Sequence, residues 1–299
     1  MKRFAIGLVG VIAGLLVIAA PVAHATILDL SSAALPIGGV NTDDDSGFIN
    51  GAFFQWTNFD QNATGSGAID SFVRMDDNGP PSQDFNGAGQ EEGYNTDGRP
   101  VAFEENTSPV FTHSITLGSV PLITLSDGIA YREFLLDINQ NGCPSNGNPN
   151  QPPCTDNFLS LDEVQIYLNG SSGSLTTQTL SSLGTLVYDL DGLAESYVKL
   201  NADLNPGNGK GDMFLYVPDS LFVGAGTQFV YLYSRFGINF AVNDGFEEWA
   251  HRVIENPTCE QTRTCTPPPP VIPEPSSLWL LGIGFASLLG GRGSCRRRF

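Results

Sequence analysis

Apolar residues in this chain fall into two patterns. Near each end stands a short continuous run, residues 4–20 and 278–289. Between them, apolar positions recur in short β-rich runs set off by clusters of Gly, Asn, Ser, Thr and Asp, and long helical periodicity is absent. The runs predict strands over 53–59, 69–75, 110–117, 132–138, 161–168, 185–190, 197–202, 213–217, 228–235 and 248–254. Several alternate with a period of two. Val164, Ile166 and Leu168 share one face while Glu163, Gln165 and Tyr167 share the other. Met213, Leu215 and Val217 oppose Phe214 and Tyr216. Many short strands at this spacing predict a mainly β domain, an antiparallel β-sandwich of jelly-roll-like form. Polar, turn-rich stretches at 31–45 and 78–100 read as loops.

The two end runs are flanked differently. Met1-Lys2-Arg3 precedes the first, Pro21 breaks it, and Ala23-His24-Ala25 supplies a small-x-small cleavage site. That order predicts a signal peptide over 1–25, exported through the Sec translocon and cut after Ala25. The second run lies within 276–291, sixteen residues without a charge. As a helix it covers roughly 24 Å, against ~30 Å for a bilayer core. Arg292, Arg296, Arg297 and Arg298 follow it and resist translocation, so the preceding domain is expected to face outward. The predicted organisation is a signal peptide (1–25), a β-sandwich ectodomain (26–254), a Cys/Pro-rich stalk (255–270) and a C-terminal signal with a transmembrane helix (271–299).

Pro273, Glu274 and Pro275, then the apolar run, then Arg296-Arg297-Arg298, stand in a fixed order. This tail resembles the PEP-CTERM sorting signal of exported bacterial proteins, with Ile272 where the usual form has Val. The resemblance covers about 29 of 299 residues. It implies an exosortase-type membrane transpeptidase cutting near Pro-Glu-Pro, in an exopolysaccharide-producing cell with a Gram-negative-type envelope. The protein would be anchored in the inner membrane before processing, then held at the cell surface or in the extracellular matrix. Glu92-Gly93-Tyr94-Asn95-Thr96 and the stretches 133–140, 159–164 and 244–249 also resemble a recurring PEP-CTERM ectodomain. That second resemblance implies a single β-rich domain and says nothing of an activity.

Charge narrows the partners. Residues 26–270 hold 8 basic and 31 acidic side chains, a net charge of −23. Such a surface repels nucleic acid and anionic lipid. Cys143, Cys154, Cys259 and Cys265 are an even number in an oxidising compartment. Of three possible pairings, the local ones, Cys143 with Cys154 and Cys259 with Cys265, are expected.

Asp137-Ile138-Asn139-Gln140-Asn141-Gly142 has the form D-x-N-x-N-G, the opening half of a calcium loop. Asp137, Asn139 and Asn141 would supply oxygens, with Asp162 and Glu163 completing the shell. The glutamate that closes an EF-hand is missing, since Asn148 holds that position. The competing reading is a strand end and an Asx-type turn. Gly207-Asn208-Gly209-Lys210-Gly211-Asp212 lacks the hydroxyl residue of a phosphate loop and predicts a hairpin turn between 198–202 and 213–217.

Catalytic signals are sparse. Only His113 and His251 remain after signal cleavage, and neither HExxH nor GxSxG occurs. Glu104-Glu105 and Glu247-Glu248 are the acid pairs a glycoside hydrolase would need. The expectation is a non-catalytic surface or matrix protein, held in exopolysaccharide or biofilm. Trp56, Tyr94 and Trp249 would contact carbohydrate if exposed. The alternatives are a polysaccharide-acting hydrolase and a calcium-stabilised adhesin.

Overall fold

The computed structural model describes residues 25–32, 46–57, 69–75, 89–141, 155–192, 194–207, 209–243 and 245–251. The chain divides into two compact units, Met1–Glu255 and Asn256–Phe299, and every described residue lies in the first. In chain order the strands are β1 (Ile27–Asp29), β2 (Ser46–Ile49), β3 (Ala52–Trp56), β4 (Asp70–Met75), β5 (Glu91–Tyr94), β6 (Ile115–Thr116), β7 (Leu122–Thr124), β8 (Ala130–Asp137), β9 (Phe158–Asn169), β10 (Thr185–Asp189), β11 (Tyr197–Asn201), β12 (Met213–Pro218), β13 (Phe229–Phe236) and β14 (Glu247–His251).

They form two sheets. The first runs β1-β11-β9-β13-β5, with β10 beside β9 and β6 beside β13. The second runs β2-β3-β12-β8-β14-β4, with β7 beside β8. The mainly β class and the two-sheet architecture agree with the sandwich expected from the pattern. Every strand pair is antiparallel except β1 with β11. Among the described residues no helix is long and apolar enough to cross a membrane. The expected signal and transmembrane helices lie outside those residues.

Alternation decides which side chains meet between the sheets. Val164, Ile166 and Leu168 of β9 join Met213, Leu215 and Val217 of β12 in the main core. The opposite faces are covered too. Phe214 and Tyr216 pack with Tyr131, Leu135 and Ala250 outside the second sheet. Tyr167 packs with Tyr94, Phe103, Tyr231 and Tyr233 outside the first. Trp56, Tyr94 and Trp249 are all buried, so they belong to the packed interior and the condition for carbohydrate contact, exposure, is not met. A fully buried aromatic of this size contributes through its packed area and cannot stack on a ligand.

Three expectations about connections change. β11 and β12 do not form a hairpin, because they lie in different sheets and residues 202–212 carry the chain between them. The polar stretch 78–100 contains β5, a strand without a single β-branched residue. It is held by register with β13 and by acidic side chains described below. Of the run 110–117, only Ile115–Thr116 is strand; Phe111 and Thr112 turn back so that their N–H groups bond the Ser108 carbonyl.

Candidate functional site

Buried acids gather where β8, β14 and β5 end or begin. Asp137 closes β8, and its carboxylate is almost fully buried. Its Oδ2 accepts from the Gly209 N–H at 2.6 Å, and its Oδ1 from the N–H groups of Gly211 (3.2 Å) and Lys210 (3.4 Å). Gly209 and Gly211 have φ of 78° and 68°, the left-handed region where a Cβ is strained. The glycine-rich run is therefore a nest of N–H groups folded around an anion from its own chain. Burial pushes the Asp137 carboxyl up, while the three N–H groups and the Arg74 charge oppose that shift.

Register extends the row on both sides. Met213 pairs with Leu136, which sets Asp212 beside Asp137. Asp212 Oδ2 accepts from the Ile138 N–H at 2.8 Å, while Oδ1 is buried with no partner among the described residues. Burial first, and the Asp137 charge second, push the Asp212 carboxyl well above its ordinary range. On the other side Glu248 pairs with Asp137, and Arg74 pairs with Glu248. Arg74 Nε donates to Glu248 Oε1, and its guanidinium lies 3.5 Å from the Phe111 ring centroid and 3.9 Å from that of Phe246. Arg74 thus compensates the row from inside an aromatic sandwich.

Glu247 differs from its neighbour. It is fully buried, and neither carboxylate oxygen has a well-aligned hydrogen-bond donor among the described residues. Burial first, then the adjoining Glu91 of β5, push its carboxyl well above the ordinary range; the Asn139 N–H pulls the other way. Two carboxyls side by side in a dry interior cannot both ionise, so the pair holds a proton between the sheets.

The five expected calcium ligands are divided among separate contacts. Asp137 serves the glycine nest. The Asn139 side chain abuts Gly245, where a Cβ would come within 2.3 Å of Nδ2. Asn141 donates its N–H to Asn243 Oδ1 (2.8 Å) and its Nδ2 to the Asn243 carbonyl (3.2 Å). Asp162, on the other sheet, accepts from Ser160 Oγ, the Ile238 N–H and Asn239 Nδ2, each at 2.7 Å. Glu163 accepts from Gln165 Nε2 at 2.6 Å. Burial, then Asp191 and Asp189, push it up to about 7. Among the described residues no group of three or more His, Cys, Asp or Glu is placed to hold a metal.

The acid pairs flagged for hydrolysis are built into the framework. Glu104 Oε2 accepts from the Glu92 N–H at 2.9 Å, and Glu105 Oε1 from the Tyr94 N–H at 3.1 Å. They supply acceptors to strand β5 on its unpaired edge. Glu105 Oε2 also accepts from the Phe103 N–H at 2.8 Å, and burial still pushes this carboxyl up to about 7. Arg74, Asp212 and Glu91 were not singled out by sequence reasoning. Arg74 did leave a signal, as the one cation inside the apolar run 69–75.

Ala25 is exposed, two residues before β1. Ala23, Cys143, Cys154, Cys259, Cys265, Pro273, Glu274, Pro275, Arg296, Arg297 and Arg298 lie outside the described residues. Comparison with known families bears on the last six. Residues 271–298 match the PEP-CTERM protein-sorting motif. No curated protein and no solved structure matches the chain. The chain therefore carries at its C-terminus the sorting motif of exported proteins that are membrane-anchored before exosortase-type processing.

Proposed function

We propose that this exported protein is a non-catalytic component of the cell surface or extracellular matrix, retained in exopolysaccharide after processing at Pro273-Glu274-Pro275. The single observation that carries the reading is the sorting motif at residues 271–298. In this reading the Sec translocon delivers the ectodomain, residues 278–289 hold it in the inner membrane, and 255–270 form the stalk. The fate of the acid pairs favours the non-catalytic role over a hydrolase. Glu104 and Glu105 are spent on backbone N–H groups, and Glu247 and Glu248 are fully buried. A general acid and its partner carboxylate must both reach the glycosidic bond. We also read the sandwich as jelly-roll-like, because β11, β12, β13 and β14 alternate between the two sheets.

The test is fractionation of cells that contain the exosortase, expressing either the wild-type chain or one with Pro273, Glu274 and Pro275 all replaced by Ala. The wild-type chain should leave the inner membrane in a shortened form and collect with surface or matrix material. The variant should stay in the inner membrane at full length. Identical distribution of the two would overturn the reading.

A further inference from the structure

We propose that His251, His113 and Asp70 form an acid-sensitive clasp at the point where the chain leaves the sandwich toward its sorting motif. His251 is the last residue of β14, and its register partner is Asp70, the first residue of β4. The two strands therefore fasten each other's ends at this pair. The His251 ring lies 5.0 Å from the Phe72 ring at an angle of 42°, against one of the fully buried side chains of the core. The third member comes from the segment that crosses β4. The His113 N–H bonds the Phe72 carbonyl at 3.0 Å, the Asn106 N–H bonds the Arg74 carbonyl at 2.8 Å, and Ser71 Oγ donates to the Phe111 carbonyl at 3.2 Å.

Both imidazoles carry a buried nitrogen with no partner among the described residues, Nε2 of His251 and Nδ1 of His113. A neutral ring tolerates an unprotonated nitrogen in an apolar setting. A protonated ring must place an N–H and a full charge there. Burial holds the His251 imidazole below its ordinary value, and His113 adds to this, while Asp70 opposes it. His113 also faces Asp97, whose Oδ1 and Oδ2 accept from the Ser114 N–H (2.9 Å) and hydroxyl (2.6 Å), with Arg99 nearby. Among the described residues, the charged or titratable groups around the two rings are thus Asp70 from β4, Asp97 and Arg99 from the loop after β5, and each other.

The sign follows from which state prefers the proton. A histidine depressed in the folded state favours folding above its unfolded value of ~6.5, and that contribution is lost as pH falls below it. Acidification should therefore loosen β14 against β4 locally, while β9 keeps its central pairings. The strand so released leads directly into the chain that carries the motif at 271–298.

Amide hydrogen exchange on the full chain, corrected for the intrinsic pH dependence of exchange, reads this directly. Between pH ~7.5 and ~5.5, protection across 247–251 and 69–75 should fall severalfold, because the opened segment takes up a proton that the packed ring resists. Protection across 158–169 should stay unchanged. His251→Gln, uncharged at every pH, should remove the pH dependence, and His113→Gln should weaken it. An undiminished fall in both variants would overturn the clasp, as would a fall of equal size across 158–169. Should His251→Gln not fold, His113→Gln alone decides, and unchanged pH dependence in it rejects the proposal.

Discussion

Asp137 and Glu247 stand on neighbouring strands of one sheet, and both are buried to within 1 % of completely. Their surroundings are opposite. Asp137 receives three backbone N–H groups from a loop shaped by glycine and has a cation two strands away. Glu247 faces another carboxyl, and among the described residues neither oxygen has a well-aligned donor, the Asn139 N–H alone favouring its charge. The first is arranged to keep a charge in the interior, and the second to keep a proton. Burial alone therefore does not fix the state of an acid; the local supply of donors does.

The sharpest way to break this comparison is to remove the better-supplied member. Asp137→Ala leaves three N–H groups without an acceptor and should cost about 4 kcal/mol in urea denaturation. A loss under about 1 kcal/mol would mean that the glycine loop does not depend on its anion.

Glu105 tests the middle ground, with two N–H donors yet a carboxyl raised to about 7. An acid raised in the folded state stabilises it fully below its unfolded value of ~4.5, and that advantage fades as pH climbs to the folded value. Stability should thus fall by roughly 3 kcal/mol between pH ~4.5 and ~7 on this account. Glu105→Gln should flatten that slope in a pH series of denaturation curves.

Glu247→Gln should change stability by less than about 1 kcal/mol at neutral pH, because a permanently neutral group replaces one already held neutral. A loss as large as that of Asp137→Ala would show that Glu247 works as an anion. The smallest effect concerns calcium. With Asp137 committed to the glycine nest, melts in excess calcium and in chelator should agree within about 1 °C. A rise of several degrees that Asp137→Ala abolishes would return a cation to this loop.

Much of the framework was legible in the sequence because alternation is local. The pairs of faces expected for 164–168 and 213–217 are those found in β9 and β12. β5 was hidden because its four residues lack the branched side chains that mark a strand, and because its edge is completed by Glu104 and Glu105 from elsewhere in the chain. The glycine run at 207–212 was correctly read as a turn and wrongly placed in a hairpin. Nothing near it announces that it wraps Asp137, which lies 72 to 74 residues earlier.

What the sequence settles by itself is what depends on near neighbours: period-two strands, the negative charge of the exported part, and the ordered motif at 271–298. Tertiary structure decided what each acid is for. A carboxylate's charge depends on donors and charges within a few ångströms, and here the tertiary structure brings those from positions far apart in the chain, as strand pairing brings Arg74 to Glu248 and the packing of one sheet on the other brings Glu91 to Glu247.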